Sequence, residues 1–230
     1  MIRLDNISLN YGERTILRNA SLHLREGHLY ALVGRNGAGK STLLRALTSN
    51  GQTRINGTPL AELTPERLAQ SVAIVTTERV RIDNLRVEEL VAMGRAPYTN
   101  WVGHLQDVDR EIVGKAIEMV GLAGFAQRDT TTLSDGELQR AMIARAIAQQ
   151  TPIILLDEPT AFLDIPTRYE VCRLLQRLTR DEGKCILFST HDIDAALPVC
   201  DATVVIDNAE LRCIEASKAE AILAQLFGLK

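Results

Sequence analysis

The sequence predicts an α/β fold with a mainly parallel central sheet, and three observations carry that prediction. Strand-like apolar runs alternate with helical patterns along most of the chain. One run leads through "GRNGAGKS", Gly34 to Ser41, into a helix, and another, "IILLDEPT", ends in two adjacent acids. Strands that read as almost continuously apolar are buried on both faces, as parallel strands between helical layers are.

Taken in order, residues 2–9 and 21–33 alternate like strands, with Gly12 and Gly27 marking turns. "LYALVGRNGAGKSTLLRALTS" reads as a buried strand, a glycine-rich loop and a helix beginning near Lys40. Residues 53–61 suggest a hairpin around Asn56-Gly57, a type I′ signal. "SVAIVTT" is an apolar strand. From Arg86 to Ala148 the periodicity turns helical, which predicts a helical subdomain over 86–148 inserted between two sheet-forming halves of one domain, 1–230. The strand "IILLD", a helix over 166–181, the strand "KCILFST", a short helix after His191, two strands over 202–214 and a helix over 217–227 complete the chain. It holds no internal repeat and no low-complexity segment.

Composition narrows the function classes. Hydrophobic residues at 46% and charged residues at 24% are ordinary for a soluble globular protein. A net charge of −3 with no block of like charge argues against a nucleic-acid partner. Cys172, Cys185, Cys200 and Cys213 form no C-x-x-C pair and lie in or beside apolar runs, so buried free thiols in a reducing compartment are expected. The start "MIRLDNISLNYG" predicts no signal peptide, and no apolar run approaches the ~18 residues of a membrane span. A cytoplasmic chain follows as the expectation, free to dock on a membrane protein.

The stretch Gly34 to Ser41 matches G-x-x-x-x-G-K-[ST], which arises by chance in roughly one protein of this length in a hundred. Context removes most of that risk, because the loop follows a strand and opens a helix. Glycines let the backbone curl so that the N–H groups of Gly34, Arg35, Asn36, Gly37, Ala38 and Gly39 approach phosphates, while Lys40 adds a point charge. Ser41 would ligate Mg²⁺ and Thr42 would contact the α-phosphate. In "IILLDEPT", Asp157 suits the Mg²⁺ shell and Glu158, on the other side of the chain, suits a general base for an attacking water. His191 follows a strand that should lie beside "IILLD", which brings its imidazole to the γ-phosphate edge of the sheet.

"TTLSDGELQRAMIARA" raises a different question. Ser134 and Glu137 have capping-box spacing, and Leu138, Met142 and Ala146 form an apolar stripe. Alone, that is an ordinary helix start, although its N–H groups and dipole would suit an anion.

Together these residues resemble the ATP-binding subunits of ABC transporters, over nearly the whole chain from Ile2 to Phe227. Walker A at Gly34 to Thr42, a signature at Leu133 to Glu137, Walker B ending at Asp157 with Glu158, a D-loop at Ala161 to Asp164 and a switch His191 follow in the family's order. The resemblance implies a P-loop NTPase fold with an N-terminal antiparallel β-subdomain, ATP with Mg²⁺, and an adenine-stacking Tyr11. It implies a homodimer in which Ser134 and Gly136 of one subunit cap the γ-phosphate held by the other. The position is then peripheral, at the cytoplasmic face of the inner membrane. Two departures stand out. The signature reads LSDGE where the family has LSGGQ, so Asp135 brings a negative charge near a phosphate. The glutamine expected after "VAIV" is absent; Thr77 takes its place with Glu78 next, and both are assigned a share in Mg²⁺ contact, whereas Gln70 lies too early.

The segment Asn84 to Gly103 resembles the same region of importers of iron–siderophore complexes, haem and cobalamin, through "GRAPY" and the aromatic residues Tyr98 and Trp101. This implies two transmembrane permease subunits and a separate substrate-binding protein. A soluble ATPase of the family acting on ribosomes or DNA is the alternative; such proteins carry paired nucleotide domains, coiled coils or basic extensions, which this sequence lacks. A stand-alone P-loop kinase leaves Leu133 to Glu137 and Tyr11 unexplained.

Overall fold

Period-two alternation along the buried strands decides which of two cores each side chain enters. In β3 (Leu29–Gly34), β7 (Ile153–Leu156) and β8 (Cys185–Ser189), Ala31, Ile154, Leu156 and Phe188 enter one core while Leu32, Ile153, Leu155 and Leu187 enter the other. The first core is completed by α5 (Asp135–Ala148) and α6 (Ile165–Glu182), the second by α1 (Lys40–Ser49), β1 (Ile2–Tyr11) and β2 (Arg14–Leu24). The computed structural model describes residues 1–78, 82–99 and 103–228.

The larger sheet has the order β10-β9-β3-β8-β7-β6, adding β6 (Val72–Val75), β9 (Ala202–Asp207) and β10 (Glu210–Glu215). Its pairs are parallel except β10 against β9. The C-terminal ends of β3, β7 and β8 therefore share one edge, where ligands of open parallel sheets bind. A second, antiparallel sheet has the order β2-β1-β4-β5, with β4 (Thr53–Ile55) and β5 (Thr58–Pro59) joined at Asn56 and Gly57, whose φ values of 51° and 86° are those of the expected I′ turn.

Gly27 at φ 66° makes the expected turn, here between β2 and β3, which lie in different sheets, and β2 begins at Arg14, seven residues before the strand-like run from residue 21. The helix α2 (Pro65–Ser71) was not anticipated, although Thr64 caps it by accepting from the Arg67 N–H at 3.3 Å and Pro65 opens it, which are start signals. Between β6 and β7 come α3 (Val87–Ala92), a 3-10 stretch Met93–Tyr98, α4 (Asp107–Met119) and α5, with no strand among the described residues beyond an isolated bridge between Arg86 and Asp129. The chain ends through α7 (Ile193–Ala196) and α8 (Ala216–Phe227). Trp101 lies outside the described residues.

Cys172, Cys185 and Cys200 are buried and free, and burial pushes the first two thiols up to about 12. Cys213 corrects the expectation: it is exposed, on an outward position of the edge strand β10. Among the described residues no helix is long and apolar enough to cross a membrane.

Candidate functional site

The sequence places a helix start where no side chain serves it. Helix α1 begins at Lys40 with no capping side-chain hydrogen bond and no acid in its first turn, so its leading N–H groups face outward unpartnered by a cap. Such an end receives an anion readily. Gly39 enters it at φ 102°, and a Cβ there would collide with the Ile16 side chain on β2. Only glycine both adopts this dihedral and leaves that space.

Lys40 is only 6% exposed; its Nζ donates to the Gly34 carbonyl at 3.1 Å and lies 3.0 Å from His191 Nε2. Burial pulls the ammonium's pKa below its ordinary value, against the opposing charges of Glu158 and Asp157. The same His191 Nε2 is 3.0 Å from Glu158 Oε1. One ring nitrogen cannot accept from Lys40 and donate to Glu158 at once, so His191 stands as an exchangeable link between cation and carboxylate.

Parallel pairing of β7 and β8 sets the two acids. Ser189 Oγ donates to Asp157 Oδ1 at 2.6 Å and accepts the Glu158 N–H at 2.8 Å. Asp157 N–H donates to the Val75 carbonyl at 2.8 Å. Asp157 is thus buried under the loop with one oxygen committed, while Glu158, at φ 50°, turns its carboxylate toward His191. A left-handed conformation at a non-glycine residue stores strain of order 1 kcal/mol and recurs at functional sites. The next turn is fixed by Asp192, which accepts from Thr160 Oγ1 at 3.2 Å and Arg168 Nη1 at 2.9 Å.

Tyr11, Asn36 to Thr42, Glu158 and His191 line one cavity of about 390 Å³, together with Arg14 and Ile16. Gly34 lies beneath the loop, and Arg35 lines a neighbouring cavity beside Asp207. Thr77 and Glu78 do not line the site; the Glu78 carboxylate is 3.3 Å from Arg45 Nη2. Ser134 and Gly136 do not line it either. They stand at the start of α5, where the capping box forms: Ser134 N–H donates to Glu137 Oε2 at 2.7 Å and Glu137 N–H to Ser134 Oγ at 3.3 Å. The Ser134 N–H, burial notwithstanding, holds the Glu137 carboxyl below its ordinary pKa. A Cβ on Gly136 would press on Leu163 Cδ2 at 3.2 Å and the Phe162 carbonyl at 3.3 Å, so this helix end packs tightly on the loop after Glu158. Leu138, Met142 and Ala146 are buried as the stripe predicts.

Sequence reasoning missed Ser189 and Arg14. Ser189 carries no motif signal, since its role exists only through the pairing of β7 and β8. Arg14 could be found from the two-residue turn after Tyr11, which places it opposite that ring.

A family model described as ABC transporter matches residues 17–161. The iron(3+)-hydroxamate import ATP-binding protein FhuC of Bacillus subtilis is 36% identical over 197 residues, covering 84% of this chain and 73% of that protein. The ferric enterobactin transport ATP-binding protein FepC of Escherichia coli is 30% identical over 237 residues, covering 100% of this chain and 88% of that protein. Among solved structures, a dimeric post-hydrolysis state of the ATP-binding cassette MJ0796 bound to ADP and Pi superposes with a TM-score of 0.82 at 27% identity, covering 94% of this chain and 99% of that one. An inward-facing ABC transporter assigned to the metal-chelate type gives 0.83 at 27% identity, covering 99% and 89%. A helix end open to an anion, a buried lysine beside it and two acids at the adjoining strand end agree with these likenesses: the chain belongs to the ABC transporter family, as one of its ATP-binding, ATP-hydrolysing subunits.

Proposed function

We propose that the chain drives an importer of metal chelates, an iron–siderophore complex, haem or cobalamin, as a homodimer bound to two transmembrane permease subunits at the cytoplasmic face of the inner membrane, with a separate substrate-binding protein. One observation carries the dimeric part of this reading. Ser134 and Gly136 stand at a helix N-terminus outside the chain's own cavity; in this proposal they serve the cavity of a second copy, and the dimeric form of the MJ0796 cassette supports that reading. The names of FhuC, a hydroxamate importer subunit, and FepC, an enterobactin transport subunit, support the substrate class.

Tyr11 stacks on adenine, and the N–H groups of the loop from Gly34 to Gly39 with the start of α1 hold the phosphates; Thr42 contacts the α-phosphate. Ser41 and the uncommitted oxygen of Asp157 would hold Mg²⁺, which supplies Lewis-acid charge to the phosphoryl oxygens when bound. Glu158 accepts the proton of the attacking water as the water oxygen bonds to the γ-phosphorus, the γ-phosphorus bond to the bridging β–γ oxygen breaks with that oxygen leaving on ADP, and Lys40 offsets the charge on the transferring group. His191, released from Lys40 by the arriving phosphate, then holds Glu158 and the γ-phosphate in register. The share in Mg²⁺ contact assigned to Thr77 and Glu78 falls in this proposal to Thr77, acting through water, since Glu78 is paired to Arg45. Thr77→Gln is expected to lower the Mg²⁺ concentration needed for half-maximal ATPase activity; an unchanged Mg²⁺ titration would remove Thr77 from the site.

The dimer is tested by light scattering on Glu158→Gln with and without Mg-ATP, alongside Glu158→Gln/Ser134→Arg. The single variant should double in mass on adding ATP, and the double variant should stay monomeric while still binding nucleotide. Dimerisation untouched by Ser134→Arg would show that the start of α5 lies outside the interface. Co-purification with a polytopic membrane protein tests the transporter assignment itself.

A further inference from the structure

The turn between β1 and β2 takes two residues, Gly12 and Glu13, and sets Tyr11 directly opposite Arg14. Opposed residues of an antiparallel pair project from the same face with Cβ atoms about 4.5–5.5 Å apart. Both line the cavity above the phosphate loop. Arg14 is exposed, and its Nη1 lies 3.6 Å from where a Cβ on Gly37 would be, over the crest of that loop. Among the described residues its guanidinium has no hydrogen-bond or ion-pair partner. Lys40, the other cation of the cavity, is buried and already engaged with Gly34 and His191. A triphosphate carries more negative charge than that one ammonium offsets, and a guanidinium fork matches phosphate oxygens two at a time.

We propose that Arg14 is a nucleotide-binding residue that closes over the β/γ end of the polyphosphate from the hairpin side, opposite Lys40, while its cross-strand neighbour Tyr11 holds the base. This rests on the reading of the cavity as an ATP site. The hairpin then reads both ends of the ligand: the ring selects an adenine-like face, and the guanidinium selects di- and triphosphates over monophosphates. Because Arg14 is exposed and holds no hydrogen-bond or ion-pair partner among the described residues, its loss leaves the fold alone.

The experiment measures affinity for ATP, ADP and AMP on the full chain, on Arg14→Ala and on Arg14→Lys. A charge-assisted contact of this kind predicts that Arg14→Ala weakens ATP and ADP about tenfold and AMP less than about twofold, with Arg14→Lys recovering part of the loss. The ATPase KM should rise by the same factor while kcat changes less than about twofold. Raising the ionic strength should narrow the gap between the unaltered chain and Arg14→Ala. Equal losses for all three nucleotides would overturn the proposal, making Arg14 a prop for Tyr11, and so would unchanged ATP affinity. If the unaltered chain bound no ATP, the ATP-site reading itself would fall, an outcome distinct from either of these.

Discussion

Glu158→Gln is expected to bind ATP within about twofold of the unaltered affinity and to turn it over about 10²–10⁴ times more slowly, the usual cost of removing a positioned general base. The substitution keeps shape, length and the amide's ability to meet His191, and the backbone at φ 50° is as accessible to glutamine as to glutamate. What it removes is the group that takes a proton from water. It also removes one of the two carboxylates that oppose the lowering of the Lys40 pKa. Asp157 remains for that purpose, and the incoming phosphates add negative charge, so Lys40 stays ammonium and binding survives. Turnover by steady-state phosphate release and affinity by equilibrium titration separate the two effects. Residual activity above about a tenth of the original would assign the base elsewhere, and a large loss of affinity would show that Glu158 organises the ground state.

The strands and the phosphate loop were legible because burial on both faces leaves an apolar run and because a loop that wraps phosphates has few residue choices. The same reasoning singled out Asp157, Glu158 and His191 at the ends of such runs, and the structure brings Glu158 and His191 into one cavity. It failed where a role depends on a long-range pairing. Ser189 joins Asp157 to the Glu158 N–H only because β7 and β8 are neighbours. Gly27 marks the turn between β2 and β3, but nothing local says that the two strands belong to different sheets. Cys213 lies in the edge strand ELRCIE, where charged and apolar residues mix and no clean alternation tells the outward face from the inward one. Thr77 and Glu78 were placed by counting along β6, and the count carries no information about the direction the chain takes afterwards, where Glu78 meets Arg45.

The second large effect concerns stability. Arg95 and Asp109 are each 5% exposed and meet through Nε and Oδ1 at 2.8 Å. Arg95 Nη1 also donates to the Ala148 carbonyl at 2.8 Å and to Gln150 Oε1 at 3.0 Å, and the guanidinium lies 4.2 Å over the Tyr98 ring. The other Asp109 oxygen accepts the Gln106 N–H at 2.9 Å and so starts α4. One arginine therefore ties the 3-10 stretch after α3 to the start of α4 and the end of α5, beneath the half-exposed Tyr98. Arg95→Met should cost about 3–5 kcal/mol, the penalty of stranding a buried charge, and lower Tm by about 10 °C in a chain of this size. The sign of its pH dependence follows from Asp109. The Gln106 N–H first, and then Arg95, hold its carboxyl below the ordinary range, so in the unaltered chain its ionised form stabilises the fold above the unfolded pKa, and that contribution fades as pH falls through the folded one. Without Arg95 the stranded carboxylate is disfavoured, so the deficit is largest at neutral pH and narrows on acidification below about pH 4. Arg95→Met/Asp109→Asn should recover much of the loss at neutral pH, since no uncompensated charge is left and the amide oxygen can still accept from Gln106. Chemical denaturation of the three proteins across that pH range decides the matter: a constant deficit with no recovery in the double variant would mean that Arg95 acts through its packing on Tyr98 and its hydrogen bond to Ala148, and not through charge.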